Sequence, residues 1–413
     1  MQSNRTRVQQ WIQTFQQFSA TPSEGVTRLT YSNEHVQARN EIIQIMKEAH
    51  LDIEEDGFGN IYGKLVGTDS SLPSIFVGSH FDSVPNGGAF DGTAGVIAAL
   101  EVATLFAEHD FQPKQTIEFV ALIEEEGARF PGGLIGSRSM LGELSVEQFE
   151  QLIGFDGLTT IEAIEQSKLP LPARHPRNIE TIDRYIELHI EQGPLLENSE
   201  VDIGIVESIV GLRQLAVTVV GEAGHAGTTP MDLRADALVA ASKIIANLPT
   251  LIHDQTEAGT VITVGHLKVH PNGANVIPHT VEFMIDLRSS TNESLHIATE
   301  RLYDYLKLHE TEKIQVKLME KLQVEPIKMD KIMNDYLKQS CKERKYTFMD
   351  MHSGAGHDAM IFAKHVPSTI LFVPSHKGIS HSPKEWTEIE DLCKGIDILF
   401  DLVIQESKCQ IKQ

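Results

Sequence analysis

The stretch IFVGSHFDSVPNGGAFDGTAGV, residues 75–96, decides how the fold of this chain is read. It opens with a run of apolar residues, which predicts a buried strand, and then turns polar and rich in glycine. His80, Asp82 and Asp91 lie in the polar part. A helix is predicted directly afterwards, at 93–108. Ligands of parallel α/β sheets bind beyond the carboxyl ends of the strands, so these three side chains indicate a binding site.

The bulk composition limits the class of protein. The chain has 413 residues, enough for roughly two or three domains. A hydrophobic content of 41% and a charged content of 23% are typical of a soluble globular protein. The net charge of −23 argues against nucleic acid or an anionic membrane as a partner. Sparse cysteines without paired spacing, no signal-peptide pattern and no apolar run of ~18 residues predict a cytoplasmic protein.

Strands and helices alternate along most of the chain, which predicts an α/β fold with a mainly parallel central sheet. The predicted strands of this part are at 60–67, 74–80, 115–126, 184–193, 346–353 and 368–375, and the predicted helices at 35–49, 93–108, 328–344, 357–365 and 388–407. Residues 212–321 read instead as strand, helix, strand, strand, helix, strand, with the first helix at 232–247. That order is ferredoxin-like. We therefore expect one domain formed by 1–210 and 330–413, with a domain of 211–329 inserted into it.

Ligand-type side chains recur at the predicted strand ends and loops, at His80, Asp91, Glu125, Glu126, His189 and His381. Imidazole and carboxylate together suit Zn²⁺, Mn²⁺ or Co²⁺. A carboxylate shared by two such sets would hold two ions roughly 3.5–4 Å apart and lower the pKa of a shared water toward ~7. A second acid beside a metal-binding Glu would serve as the general base for that water. Asp82 would hold the other ring nitrogen of His80.

Each of these residues also has an ordinary structural interpretation. A single histidine at a strand end is commonly a polar edge residue, a run of glutamates is commonly a solvated acidic turn, and glycines commonly form turns. The functional interpretation depends on several independent strand ends carrying ligand-type residues at once. It fails if the imidazoles lie in separate regions of the fold.

Six motifs occur in order along nearly the whole chain: GSHFDSVPNGGAFDG, EEEGARF, ELHIEQG, GHAGTTPM, HSGAGHDA and GISHSP. Together they resemble the di-metal amidohydrolases that include allantoate amidohydrolase and N-carbamoyl-L-amino acid hydrolase, relatives of the aminopeptidase-like carboxypeptidases. The resemblance implies an aminopeptidase-like catalytic domain and an inserted ferredoxin-like lid and dimerisation domain. It also implies two divalent ions per subunit, Zn or Mn, and a homodimer.

The resemblance assigns the metal ligands residue by residue. His80 and His189 would bind one ion, and Glu126 and His381 would bind the other. Asp91 would bridge the two ions.

The resemblance also implies roles for residues around the metals. Glu125 would be the general base that activates the bridging water, and a cis peptide would join Asp91 to Gly92. His225, in the lid, would reach the partner's active site and stabilise the oxyanion. The positions that match the family's substrate contacts are Gln192, Arg213, Asn275, Arg288 and Gly354. An arginine fork binds a carboxylate well, but surface ion pairing is the alternative for both arginines and turn formation the alternative for the asparagine.

The activity implied by the resemblance is hydrolysis of a ureido C–N bond. The leading prediction is allantoate, converted to ureidoglycine, ammonia and carbon dioxide in purine nitrogen salvage, because HSGAGHDAMIFA and GVTRLTYSNE look most like the allantoate enzymes. Arg213 and Gln214 would contact its two ureido arms. N-carbamoyl-L-amino acid hydrolysis is the alternative, and a di-metal exopeptidase or deacylase is a rival. A metal-binding scaffold without activity is a further rival, but a purely structural metal needs no base such as Glu125.

Overall fold

The computed structural model describes residues 1–411, with the side chains of 255–258 and 410–411 outside that description. The chain divides into two compact units. The first unit consists of Met1–Glu207, Met329–Met351 and the residues from His357 onward, and the inserted unit consists of Ser208–Lys328 and His352–Gly356. Each unit has its own hydrophobic core.

Helices and strands are interspersed along the whole described part of the chain. The helices are α1 (Arg5–Gln17), α2 (Asn33–Glu48), α3 (Thr93–Glu108), α4 (Ile135–Met140), α5 (Val146–Gln151), α6 (Thr160–Ser167), α7 (Leu195–Asn198), α8 (Ala237–Asn247), α9 (Asn292–Lys307), α10 (Lys331–Arg344), α11 (Asp358–Phe362) and α12 (Ile389–Glu406). The strands are β1 (Asp52–Glu55), β2 (Ile61–Leu65), β3 (Ser74–His80), β4 (Phe111–Gln112), β5 (Ile117–Leu122), β6 (Ile182–Ile190), β7 (Ile203–Ile209), β8 (Gly211–Val220), β9 (Gly224–His225), β10 (Val261–His270), β11 (Val276–Ile277), β12 (Thr280–Ser289), β13 (Gln315–Val324), β14 (Ile327–Lys328), β15 (Phe348–Ser353), β16 (Ser368–Val373) and β17 (Gln410–Ile411). Within the described part of the chain, no helix is long and apolar enough to cross a membrane.

The first unit is built on a sheet with the strand order β1-β2-β5-β3-β6-β16-β7. The four central strands β5, β3, β6 and β16 run parallel, and the outer strands pair antiparallel. All 7 residues of β3 are buried, as expected for a parallel strand covered on both faces. The prediction of a mainly parallel central sheet is confirmed.

Helix α3 packs against the sheet and against helices α1, α2 and α12. Nearly all of its residues are buried, because its sequence is apolar on every face rather than along one stripe. Strand β3 and helix α3 have the bounds predicted from the sequence, 74–80 and 93–108. The connecting loop therefore lies at the carboxyl end of β3 and leads directly into the N-terminus of α3.

The inserted unit contains an antiparallel sheet with the order β10-β12-β8-β13. Helices α8 and α9 cover one face of this sheet, and the core between them includes Leu215, Val217, Phe283 and Ile285. The elements follow one another as β8, α8, β10, β12, α9 and β13, so strand order and connectivity are those of a ferredoxin-like fold.

Helix α8 begins later than the predicted 232–247. Met231–Leu233 forms a separate 3-10 turn after Pro230, and α8 starts only at Ala237. Asp236 caps it by accepting hydrogen bonds from the first backbone N–H groups of the helix. The periodic apolar pattern did not distinguish these two short elements from one longer helix.

Candidate metal centre and active site

Neighbouring parallel strands deliver two histidines to one place. His80 is the last residue of β3, and His189 is the last but one of β6. Both side chains are 1% exposed, and their ring centroids are 5.8 Å apart. The Nδ1–H of His189 donates to the carbonyl of Ile190 at 2.9 Å, and its Nε2 accepts the N–H of Gly92 at 3.1 Å. Nε2 therefore carries a lone pair, as a metal ligand requires.

Asp91 lies in the loop between β3 and α3, and its two carboxylate oxygens face different residues. Oδ1 is 3.2 Å from Nε2 of His189 and 3.7 Å from Nε2 of His80. Oδ2 is 3.2 Å from Nε2 of His381. A carboxylate whose oxygens are directed at two separate sets of ligands has the geometry of a bridging ligand.

Gly92 allows the Asp91 loop to approach the first histidine closely. Its φ is +60°, and a Cβ at this position would lie 2.3 Å from the ring of His80. The expected cis bond between Asp91 and Gly92 is wrong for this structure. In the described residues the cis peptide is the one between His270 and Pro271.

Two groups of three residues could each hold a metal ion: His80, Asp91 and His189, and Asp91, Glu126 and His381. In each group the ligand atoms lie within 4.8 Å of one another. Nε2 of His381 is 3.3 Å from Oε2 of Glu126. The structure thus brings together the five residues predicted as ligands, in the two predicted sets that share Asp91. Their role as ligands stays a prediction.

Glu125 and Glu126 follow strand β5, and Asp82 fixes their backbone. Oδ1 of Asp82 accepts the N–H of Glu125 at 3.1 Å, and Oδ2 accepts the N–H of Glu126 at 3.3 Å. Asp82 was predicted to hold His80, but its Oδ1 is 3.6 Å from Nδ1, longer than a hydrogen bond. Oε2 of Glu125 is 3.8 Å from Nε2 of His80, and this carboxylate belongs to neither ligand group. Its role as a general base stays a prediction.

The charges and unpaired atoms at this place fit a divalent metal. Burial raises the pKa of the Glu126 carboxyl to about 8, and the charge of Asp91 adds to the rise. Burial also raises the pKa of Glu125 well above its ordinary value, against a lowering by the charge of His80. Oε1 of Glu126 is buried without a hydrogen-bond donor. A divalent cation would supply both the positive charge and the missing partner, and imidazole with carboxylate suits Zn²⁺ or Mn²⁺.

Gln192, predicted to contact substrate, lies beside the shared carboxylate. Its Nε2 donates to Oδ2 of Asp91 at 2.8 Å, and its backbone N–H donates to Oγ of Ser375 at 3.0 Å. Oε1 of Gln192 is buried and accepts no hydrogen bond. In the structure Gln192 orients Asp91, and its contact with substrate stays a prediction.

The two predicted substrate arginines lie on opposite faces of the inserted sheet. Arg213 is paired across the strands with Leu287, and Arg288 with Leu212. Residues opposite each other share a face, so Arg213 lies on the side covered by the helices and Arg288 on the other side. Arg213 forms an ion pair with Glu325 at 2.7 Å. It therefore adopts the ion-pairing alternative and does not join Arg288.

Arg288 and Gly354 do lie together. One guanidinium nitrogen of Arg288 donates to the carbonyl of Gly354 at 2.7 Å, and Nε donates to Oδ1 of Asp286 at 2.8 Å. Asp286 holds one edge of the fork in place. The backbone of Gly354 contributes a carbonyl to this contact, and its role in substrate binding stays a prediction.

His225 is paired with Val276 in the two-stranded ribbon formed by β9 and β11, and Asn275 directly precedes β11. The N–H of Ala226 donates to the carbonyl of Asn275 at 3.0 Å. His225 is exposed, and its Nδ1 accepts the N–H of Gly227 at 3.0 Å. This contact places the proton on Nε2, which makes Nε2–H a donor, as stabilisation of an oxyanion requires.

Glu385 and Ser380 are residues of this site that the sequence reasoning missed. Glu385 is 5% exposed, and its Oε1 accepts the backbone N–H groups of Phe90 and Asp91, each at 3.0 Å. The one signal in the sequence was a glutamate four residues after His381. A carboxylate in a loop has no periodicity, so this signal does not stand out.

Residues 76–405 match the sequence profile of peptidase family M20/M25/M40, and the chain belongs to this family. It is 42% identical over 399 residues to an N-carbamoyl-L-amino-acid amidohydrolase of Paenarthrobacter aurescens, covering 95% of this chain and 96% of that one. It is 37% identical over 404 residues to the allantoate amidohydrolase of Bacillus subtilis (strain 168), covering 97% of each. A solved amidase of the hydantoinase/carbamoylase family from Burkholderia multivorans matches with a TM-score of 0.92 at 30% identity, covering 98% of both chains.

These similarities confirm the family resemblance and the fold class predicted from the motifs. They also confirm the predicted class of enzyme, a hydrolase of ureido and amide C–N bonds. The residues present could hold a divalent metal, in agreement with the predicted type of cofactor.

Proposed function

We propose that this protein is a metal-dependent amidohydrolase that cleaves the ureido C–N bond of a small carboxylate. The observation that carries the proposal is the placement of Asp91, whose two oxygens face His189 and His381 in separate ligand groups. Glu125 lies beside the first group and outside both. Two ligand groups with a shared carboxylate and an uncommitted acid are what metal-assisted hydrolysis needs.

Each group of residues is proposed to have a separate role in the reaction. Divalent ions, Zn or Mn, would be held by His80, Asp91 and His189 and by Asp91, Glu126 and His381, and when bound would supply Lewis acidity for the ureido carbonyl and a lowered pKa of water. Glu125 accepts the proton of the attacking water and returns it to the leaving nitrogen. The ureido group leaves as ammonia and carbon dioxide, and the amine remains. His225 is proposed to donate from Nε2–H to the oxyanion that develops in the partner's active site, and Arg288 and Asn275 are proposed to hold the substrate carboxylate.

Two substrates of this class are candidates. N-carbamoyl-L-amino acids are supported by the relative that is 42% identical, and allantoate by the one that is 37% identical. Arg213 lends no support to a second ureido arm of allantoate, because its side chain is paired with Glu325 on the helix-covered face. We therefore place N-carbamoyl-L-amino acids first and allantoate second.

An ammonia assay on metal-reconstituted protein tests the proposal. The substrates are N-carbamoyl-L-amino acids, allantoate, dipeptides and N-acetyl amino acids, the last two followed by amine release. We expect ammonia from at least one carbamoyl amino acid and no turnover of dipeptides. Turnover of allantoate alone would reverse the order of the candidates. Turnover of dipeptides or N-acetyl amino acids alone would contradict the proposal and favour the exopeptidase or deacylase.

The inserted unit is proposed to act as the lid and dimerisation domain of a cytoplasmic homodimer. The family resemblance supports this role, and the composition supports the location. Sedimentation equilibrium measures the state of association directly. Full activity in a monomer would contradict the proposed contribution of His225 to the partner's active site.

A further inference from the structure

Glu385 connects the loop that carries Asp91 to the loop that carries His381. Its Oε1 accepts the backbone N–H groups of Phe90 and Asp91 at 3.0 Å. Its Oε2 accepts the hydroxyl of Ser380 at 2.9 Å, and that hydroxyl oxygen is also 2.9 Å from Oδ2 of Asp91. The buried carboxylate of Glu385 thus joins the loop of Asp91 to the loop of His381. Both residues belong to the second ligand group, which consists of Asp91, Glu126 and His381.

The surrounding chain is shaped to admit this carboxylate. Gly88 lies against it, and a Cβ at that position would come within 2.1 Å of the carboxyl carbon of Glu385. The N–H of Glu385 donates to the carbonyl of Ser382 at 3.0 Å, which folds the chain after His381 into a tight turn. The contact therefore requires both a glycine at position 88 and the turn that follows His381.

The ligand groups differ in how firmly the fold holds their histidines. His80 and His189 belong to buried strands and are 1% exposed. His381 lies in a loop, is 51% exposed and has a φ of +53°. Its ring faces the carboxylates of Asp91 and Glu126. Packing fixes the first two histidines, whereas the position of His381 depends on what anchors its loop.

We propose that Glu385 is a positioning residue that holds Asp91 and His381 at the spacing needed by the second ion. The first group, with two histidines on strands, does not depend on this anchor in the same way. Loss of the Glu385 carboxylate therefore weakens the second ion far more than the first, whose group shares Asp91 but keeps two histidines on buried strands. This inference rests on the proposed metal site.

Metal titration of the chelator-treated full chain tests the inference. Zn²⁺ is added back, its affinity is followed by calorimetry, and the bound ions are counted by elemental analysis. The wild type is expected to bind two ions. E385A is expected to weaken the second ion by about 10- to 100-fold, the range for outer partners of metal ligands, and to resemble H381A rather than H80A. The matched control E390A, an exposed carboxylate of helix α12, is expected to bind as the wild type does.

Two further variants separate positioning from general damage. E385Q keeps an amide oxygen that can accept both backbone N–H groups, so it is expected to restore most of the affinity for the second ion. G88A is expected to act in the same direction as E385A, because its methyl group would displace the carboxyl. If circular dichroism shows that E385A is unfolded, the inference is tested with E385Q and G88A instead.

Two-ion binding of wild-type affinity in E385A would overturn the inference, as would equal loss of both ions in the manner of H80A. With E385A unfolded, wild-type affinity for both ions in G88A would overturn it. A wild-type protein that binds no Zn²⁺ and no Mn²⁺ would instead overturn the proposed metal site itself, whatever the variants do.

Discussion

Replacement of Glu125 by glutamine separates proton transfer from metal binding. The side chain of Glu125 is 11% exposed, and its Oε2 is 3.8 Å from Nε2 of His80. Glu125 belongs to neither ligand group. Glutamine has the same size but cannot take a proton. We expect kcat to fall about 10²- to 10⁴-fold, the usual contribution of a general base. At about 1.36 kcal/mol for each tenfold change, this is a barrier increase of about 2.7–5.4 kcal/mol.

The stability of the metal-free variant should change in the opposite direction. Burial raises the pKa of Glu125 well above its ordinary value, so the charged form costs free energy in the folded state. The stability contributed by such a group is present below the unfolded pKa of about 4.3 and is lost as pH rises toward the folded value. Glutamine carries no charge, so the Tm of metal-free Glu125→Gln at neutral pH should equal or exceed that of the wild type.

The assay is ammonia release under saturating substrate, with bound metal counted on the same samples. Glu126→Gln is the matched control, because it makes the same chemical change at a predicted ligand and should lose one ion. Wild-type kcat in Glu125→Gln would refute the general-base role. A loss of kcat that follows only from lost metal would refute it equally.

Four further substitutions have defined expectations. Gly92→Ala places a Cβ 2.3 Å from the His80 ring at a φ of +60°, so elemental analysis should find less bound metal and calorimetry a lower Tm. Arg288→Gln should raise KM about tenfold or more, since a fork bound to a carboxylate is lost. Arg213→Gln should leave KM unchanged and lower the Tm, because it removes the guanidinium of a side chain that is only 12% exposed from its pair with Glu325. His225→Ala should lower kcat about 100-fold with metal content unchanged, as for loss of an oxyanion donor.

The sequence predicted best where one local pattern decides the structure. The apolar run of β3 and the uniformly apolar α3 are expected only in a buried environment, and both were predicted with their observed bounds. The start of α8 was misplaced because Pro230 and the Asp236 cap divide an apolar pattern that looks continuous. Local pattern identifies the type of an element more reliably than its end.

Those residues of the candidate site that lie within the sequence motifs could be predicted one by one. The five proposed ligands stand in such motifs, and the structure gathers them. The face occupied by Arg213 was not predictable, because it follows from the strand register that sets this residue opposite Leu287. Glu385 was missed for a similar reason. Its partners Phe90 and Asp91 are distant in sequence, and it contacts them only in the folded structure.

Anomalous diffraction from crystals loaded with Zn²⁺ or Mn²⁺ is the most direct test of the shared-carboxylate centre. We predict two peaks in each chain, roughly 3.5–4 Å apart, with one oxygen of Asp91 on each. One peak should also contact His80 and His189, and the other Glu126 and His381. A single peak, or two peaks that do not share Asp91, would contradict the proposed centre.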